Sequence, residues 1–276
     1  MPHFLPFLLW LVGLGHSVKS TALPPEALRS VRLLERRVRK SVEWQLLQSE
    51  VPAYRDIDFG DPYGPGKYLE IDYWLRINVE RAVLLGLHEC SGLKILDVGS
   101  GPALFTFICG LCGHDAVGLD RPLAEARADE ALVYSLLPKT LGVRTIRERI
   151  EAFVPMRGDD TYDLITAFMI CFNRHKQPDE WQRPAWEFFL RDAAGHLRPG
   201  GRLQLRFNSH DERYGKLRYW SADTLELFRR LGTVDAEGGV IMTRDRVAAL
   251  LDSSSETEAG PLYESTGTDG PGEARA

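Results

Sequence analysis

The chain has 276 residues, of which 44% are hydrophobic and 26% charged, and its formal net charge is −5 at pH 7. This composition is that of an ordinary folded protein with enough apolar side chains for one sizeable core and some appendages. The acidic balance gives no overall attraction to nucleic acid, so large polyanionic partners are disfavoured.

A nearly continuous apolar run, HFLPFLLWLVGLG, occupies positions 3–15. It is short for a membrane span, and small residues follow it as in a signal peptide, but no lysine or arginine precedes it. Three interpretations of residues 1–20 stay open: a membrane contact through 4–15, an unusual signal, or an upstream extension from a mis-assigned start codon, which we favour. The basic residues after the run orient any anchor with the rest of the chain on the cytoplasmic side.

Residues 21–67 are predicted to form a helical extension ahead of the main domain. Apolar residues recur every four positions from Leu34 to Leu46, which predicts an amphipathic helix over 24–50 whose apolar stripe docks on the domain. The arginines of this helix lie outside the apolar stripe, on its other sides. They form either a solvated face or a contact for phosphate or acidic lipid.

The stretch KILDVGSGPALFTF at 94–107 has the pattern of a strand, a loop and a helix. Lys94 to Val98 is predicted to be a buried strand, Gly99 and Gly101 lie in the loop, and the apolar run from Leu104 to Leu111 opens a helix. Glycine has no Cβ, so the backbone of this loop can approach a ligand closely. The free N–H groups at the start of the helix favour a negatively charged ligand group.

A second predicted strand, over 116–119, ends at Asp120, whose carboxylate can accept hydrogen bonds from a ribose diol. Asp97, at the end of the first strand, changes the expected ligand. Its carboxylate would repel a dinucleotide pyrophosphate and attract an ammonium group. The alternative ligand is NAD. Its binding motif, G-x-G-x-x-G, has a third small residue at the position of Leu104, so this leucine weakens the NAD alternative.

The D-x-G-x-G pattern at 97–101, together with Asp120, resembles the cofactor motif of the class I S-adenosylmethionine-dependent methyltransferases. The resemblance implies an α/β fold, a doubly wound and mostly parallel seven-stranded Rossmann-like sheet, here with an N-terminal helical extension. It also implies that S-adenosyl-L-methionine is the cofactor. The residues that it places at the cofactor are Asp97, Gly99, Ser100, Gly101, Pro102, Asp120, Arg121, Glu151, Ala152 and Phe168.

The remaining elements follow the order that this family shows. A third strand leads to Glu151 and Ala152, which the resemblance assigns to the adenine, and a fourth begins near Tyr162. A helix and the turn Pro199 to Gly201 precede the fifth strand. The last predicted elements are a helix from Ser221 to Leu231 and two short strands near 233–236 and 240–243.

The methyltransferase domain is expected over 68–251, and 252–276 is expected to be a disordered tail.

The acceptor site is expected beyond the carboxyl ends of the strands, beside the segment 169–181. Asn173 and His175 are its candidate catalytic residues. His175 would be a general base if the acceptor must lose a proton, and the alternative is a surface histidine. The Tyr- and Gly-rich segment 54–74 is a candidate lid, because in this family segments ahead of the first strand often cover the cofactor.

The four cysteines of the chain predict neither a disulfide framework nor a metal site. Cys109 and Cys112 form a C-x-x-C pair inside an apolar helix, and no second pair supplies further ligands. They are interpreted as buried helix residues. Cys171 lacks the preceding proline that marks cytosine methyltransferase nucleophiles, since Ile170 stands there.

The favoured function is methyl transfer to a small-molecule acceptor by a cytoplasmic enzyme. A protein acceptor stays open, nucleic acid is disfavoured, and membrane association through 4–15 stays open. Two rival functions are kept. One is a non-catalytic S-adenosylmethionine-binding or scaffold protein, and the other is an NAD-dependent oxidoreductase on a related sheet.

Overall fold

The computed structural model describes residues 23–41, 65, 68, 71–170, 181–207, 221–235 and 239–249. Its helices are α1 (Pro25–Ser41), α2 (Ile71–Leu84), α3 (Leu104–Leu111), α4 (Ala128–Thr140), α5 (Arg183–Gly195) and α6 (Ala222–Leu231), with a short 3₁₀ helix at Leu123–Glu125. Its strands are β1 (Lys94–Val98), β2 (Asp115–Asp120), β3 (Thr145–Arg147), β4 (Tyr162–Ile170), β5 (Leu197–Phe207), β6 (Gly232–Val234) and β7 (Gly239–Thr243).

The described strands form one seven-stranded sheet in the order β3-β2-β1-β4-β5-β7-β6. Strands β1 to β5 pair in parallel, and β7 runs antiparallel to both β5 and β6. Strand order reverses between β1 and β4, which is the point where doubly wound sheets bind ligands beyond their carboxyl ends. The predicted fold class is confirmed.

Strand β5 differs from its predicted form because it begins before the turn at Pro199 to Gly201. Tyr162 of β4 pairs with Leu197, whereas Leu164 pairs with Arg202, so the extra residues of β5 bulge out between these pairs. Gly200 adopts a φ of 75°, and a Cβ on Gly201 would lie 2.8 Å from the Arg198 carbonyl oxygen. The proline-glycine turn is therefore accommodated inside the strand as a bulge.

Alternate residues of β1 face two different layers of the core, as the period of a strand requires. Leu96 and Val98 face the layer that contains α5 and α6, where Trp186 is 1% exposed. Ile95 faces the opposite layer, which contains α1, α2 and α3. Asp97 shares the side of Ile95, so its carboxylate is placed under the N-terminal helices.

Helix α1 packs against α2 through Val31, Leu34 and Val38, which are all buried. The described part of the predicted 24–50 helix ends at Ser41, and 42–50 lies outside the described residues. Within the described part of the chain, no helix combines the length and apolarity needed to cross a bilayer. The apolar run at 4–15 and the tail from 252 lie outside the described residues.

Candidate functional site

The carboxylate of Asp97 lies buried at the end of β1 and is held by two threonines from different elements. The Oγ1 hydroxyl of Thr106, on α3, donates to Oδ2 at 3.0 Å, and that of Thr166, on β4, donates to Oδ1 at 3.0 Å. Each carboxylate oxygen keeps a further lone pair for a ligand. Burial raises the pKa of Asp97 to about 6, although the two hydroxyls and the charge of Arg81 oppose the rise.

The loop after β1 folds back over the end of β2. Gly99 and Gly101 adopt φ values of 70° and 54°, in the left-handed region that favours glycine. The N–H groups of Gly99 and Ser100 both donate to the carbonyl oxygen of Leu119, at 2.7 and 3.2 Å. Pro102 is buried directly after the second glycine. The loop backbone is thereby fixed at the carboxyl edge of the sheet.

Asp120 completes this loop from the end of β2. Its Oδ2 accepts from the N–H of Gly101 at 2.5 Å, and its Oδ1 accepts from the N–H of Arg121 at 2.7 Å. Burial raises the pKa of the Asp120 carboxyl, and these two hydrogen bonds and the charge of Arg147 act against that rise. The carboxylate is therefore fixed in position but retains lone pairs for a diol.

Arg147, the last residue of β3, is in register with Asp120 on the neighbouring strand. One of its nitrogens, Nη2, donates to the carbonyl oxygen of Tyr134 at 2.5 Å. The other, Nη1, is buried and has no hydrogen-bond partner among the described residues. Buried donors are nearly always paired in folded proteins, so an unpaired guanidinium nitrogen here indicates that an acceptor completes the site.

Ser100 packs against β2 because residue 118 is a glycine. A Cβ at Gly118 would lie 2.5 Å from the Ser100 hydroxyl oxygen and 3.4 Å from that of Thr106. The Ser100 hydroxyl is buried and, within the described part of the chain, has no hydrogen-bond partner. The loop thus contributes a second unpaired polar group to the same edge of the sheet.

Arg81 on α2 brings a positive charge to the same region. Its Nη1 donates to Asn78 Oδ1 at 2.8 Å, and its guanidinium lies 4.6 Å from the centroid of the Phe168 ring. Burial lowers the pKa of Arg81 to about 10, with Arg206 adding to this effect and Asp97 opposing it. An acid of β1 and a cation of α2 therefore face the same region of low solvent exposure.

The other predicted cofactor residues take different positions. The Arg121 side chain turns to α4, where Nη2 pairs with Glu130 Oε2 at 2.5 Å, so Arg121 meets Asp120 through its backbone. Phe168 lies at the site under Arg81. Glu151 is exposed in the loop after β3 and pairs with Arg149 at 3.5 Å, and Ala152 packs partly buried against the core.

The structure thus brings most of the predicted cofactor residues to one edge of the sheet, formed by β1, β2 and β4. His175 and Asn173, the predicted catalytic residues, lie outside the described residues. Arg81 was not predicted, because no motif marks it in the sequence. Arg147 could have been found from its place at the end of the predicted third strand.

Cys109 is buried in α3, as predicted, whereas Cys112 is only half-buried and directly follows the last residue of the helix. Among the residues that the structure describes, no group of three or more His, Cys, Asp or Glu side chains is arranged to hold a metal ion.

No protein-family model matches this sequence, and a search of curated proteins found no match either. The solved structures that are similar in fold include three methyltransferases. A TehB-like S-adenosylmethionine-dependent methyltransferase from Corynebacterium glutamicum is 18% identical, with a TM-score of 0.41 over 59% of this chain and 84% of its own. An amino pentose methyltransferase of calicheamicin biosynthesis from Micromonospora echinaspora is 19% identical, with a TM-score of 0.37 over 52% of this chain and 57% of its own.

The third is an S-adenosylmethionine-dependent methyltransferase from Clostridium acetobutylicum, which is 16% identical, with a TM-score of 0.35 over 49% of this chain and 50% of its own. The match therefore spans about half the length of the second and third structures. The sheet order and the loop geometry of this chain define a Rossmann-like methyltransferase fold, as its sequence predicted.

Replacing Asp97 with asparagine is expected to stabilise the fold at neutral pH. The folded chain binds the Asp97 proton more tightly than the unfolded chain, so this group's contribution to stability is full below about pH 3.8 and is lost as the pH rises through about 6. Above pH 7 the variant should gain roughly 2–3 kcal/mol of unfolding free energy, measured by chemical denaturation followed by circular dichroism. A gain that does not shrink below about pH 4 would contradict this assignment.

Proposed function

We propose that this protein is an S-adenosylmethionine-dependent methyltransferase. The observation that carries the proposal is the grouping of two acids, Asp97 on β1 and Asp120 on β2, at the carboxyl end of the sheet. Arg81 of α2 brings a cation to the same end, over the Phe168 ring of β4. S-adenosylmethionine combines an ammonium, a carboxylate and a ribose diol. Its polar groups therefore match the charges and hydrogen-bonding groups of this edge.

The amino-acid part of the cofactor is assigned to the buried Asp97 and the half-buried Arg81. Asp97 has a free lone pair on each oxygen to accept from an ammonium group, and Arg81 has guanidinium N–H groups to donate to a carboxylate. Both groups are poorly exposed, so their interactions with an opposite charge are screened less than at the surface. A dinucleotide pyrophosphate would instead meet the repulsion of Asp97.

The nucleoside part is assigned to the neighbouring strands. Asp120, held by the N–H of Gly101, accepts from the ribose hydroxyls, and the unpaired Nη1 of Arg147 supplies a donor on the next strand. The Ser100 hydroxyl supplies a second unpaired group. Glu151 and Ala152 stay assigned to the adenine through the family resemblance.

When bound, S-adenosylmethionine supplies a methyl group activated by the positive charge on its sulfur. The task of the chain is to hold the acceptor in line with that group and to exclude water. In this proposal His175 removes a proton from an acceptor that needs deprotonation, and Asn173 helps to orient it. The acceptor is proposed to be a small molecule.

Replacing Asp120 with alanine should weaken binding of the nucleoside part. We expect a loss of about 10- to 100-fold in affinity for S-adenosylhomocysteine and for 5′-methylthioadenosine, since both carry the ribose. Isothermal titration calorimetry measures both affinities. Asp115→Ala is the matched control, because Asp115 begins the same strand and its carboxylate lies exposed at the opposite edge. Unchanged binding in Asp120→Ala would remove this residue from the site.

Replacing Arg81 with glutamine, or Asp97 with lysine, should weaken only ligands that carry the amino-acid group. We expect about 10- to 100-fold weaker binding of S-adenosylhomocysteine in the same titration. Binding of 5′-methylthioadenosine, which lacks the ammonium and the carboxylate, should be retained.

The control for Arg81 is Arg76→Gln, which removes an exposed arginine of the same helix paired with Glu80. Equal losses for both ligands would show that Arg81 acts only through the fold. Full affinity for S-adenosylhomocysteine in Asp97→Lys would contradict the ammonium contact.

Incubation with methyl-labelled S-adenosylmethionine and fractionated cell extract tests the reaction itself. We expect the label in the small-molecule fraction. Label found only in macromolecules would overturn the small-molecule acceptor. Cofactor binding without transfer to any fraction would favour the non-catalytic alternative. A melting temperature raised by NAD, and not by S-adenosylmethionine, would favour the oxidoreductase.

A further inference from the structure

Helix α1 presents a basic face on the side opposite to its buried stripe. Residues of an α-helix advance by about 100° each, which places Leu33 and its neighbours opposite Val31, Leu34 and Val38. We define the basic face by five exposed residues of this side: Arg29, Leu33, Arg36, Arg37 and Lys40. The exposed Glu26 lies on the same side in the first turn, so the face carries four cations and one acid. Since the apolar stripe is buried against α2, most of this face is directed away from the fold. Arg37 lies at its margin near Cys112, where burial raises the pKa of the thiol and the charge of Arg37 opposes the rise.

The charge of α1 contrasts with that of the whole protein. The helix contains six basic and two acidic residues, whereas the chain has a net charge of −5. Among the described residues, Arg39 is the one base of α1 with an ion pair, to Glu35 at 3.0 Å. The cations of the basic face therefore have no acidic partner in the described part of the chain.

Leu33 adds an apolar side chain to the centre of this charged face. Its side chain is 58% exposed, although leucine gains free energy from leaving water. Arg29, Arg36 and Arg37 lie three or four positions away and so surround it on the helix surface. An apolar side chain within a ring of guanidinium groups matches the boundary between acyl chains and phosphates in a lipid bilayer.

The sequence before α1 supplies a second feature of the same kind. The apolar run at 3–15 ends ten residues before α1 begins at Pro25. Stable attachment of a protein to a membrane usually needs two weak signals, such as an apolar segment and a polybasic patch. A nucleic acid offers phosphates for the arginines but no apolar layer for Leu33 or for the upstream run.

We infer that the basic face of α1 binds the surface of a bilayer that contains anionic lipid. Leu33 enters the headgroup region, and the surrounding arginines and Lys40 contact lipid phosphates and carboxylates. Because α1 is fixed on α2, this contact also sets the orientation of the whole domain on the membrane. The inference does not depend on the proposed methyl transfer.

Vesicle cosedimentation of the full chain tests this inference. Vesicles of phosphatidylcholine alone are compared with vesicles that also contain phosphatidylserine. We expect binding to the anionic vesicles that falls as salt is added. Each basic residue near an anionic surface contributes about fivefold, so the triple variant Arg29→Gln, Arg36→Gln, Arg37→Gln should bind roughly 100-fold more weakly. Leu33→Gln should weaken binding several-fold without a change of charge.

The matched control is the triple variant Lys139→Gln, Arg157→Gln, Arg229→Gln, which removes the same charge from exposed positions elsewhere. It should bind almost as wild type does. Equal binding to both vesicle types, full binding by the α1 triple variant, or equal losses in both triple variants would overturn the inference. Binding of a single-stranded RNA oligonucleotide in preference to the vesicles, lost in the α1 variant, would also overturn it.

Discussion

The hydrogen bond from the Gly101 N–H to the Asp120 carboxylate is the interaction on which the rest of the site depends. It joins residues nineteen positions apart and ties the loop after β1 to the end of β2. The neighbouring N–H groups of Gly99 and Ser100 donate to the carbonyl oxygen of Leu119, the next-to-last residue of the same strand. Because residue 118 is a glycine, the Ser100 side chain can pack directly against β2. The loop is therefore held beside the strand that ends in Asp120.

Buried charge is the second constraint, and it works against stability. Asp97 and Arg81 are both poorly exposed. Burial raises the pKa of Asp97 and lowers that of Arg81, and both shifts favour the neutral form of the group. Two threonine hydroxyls and the opposite charge limit the cost without removing it. The unpaired polar atoms of Ser100 and Arg147 lie at the same end of the sheet, and in the proposed function they meet the cofactor.

The N-terminal helices connect the interior of the site to the protein surface. Helix α2 directs Arg81 toward Asp97, and α1 covers the other side of α2 with its apolar stripe. The outer side of α1 is then free to carry Leu33 and the cations around it. The extension ahead of the main domain therefore supports the helix that carries Arg81, and its outer side carries the surface for which we infer contact with a membrane.

The sequence by itself determined those helices and strands that a short run of neighbouring residues specifies. The strand Lys94–Val98, the helix Leu104–Leu111 and the serine cap of α6 follow from residue pattern alone, because each depends on neighbours in the chain. Tertiary structure decided which side chains share the site. Thr166 meets Asp97 across 69 residues, and Arg81 arrives on a helix that has no motif. Such contacts depend on strand order and on helix packing, which no local pattern encodes.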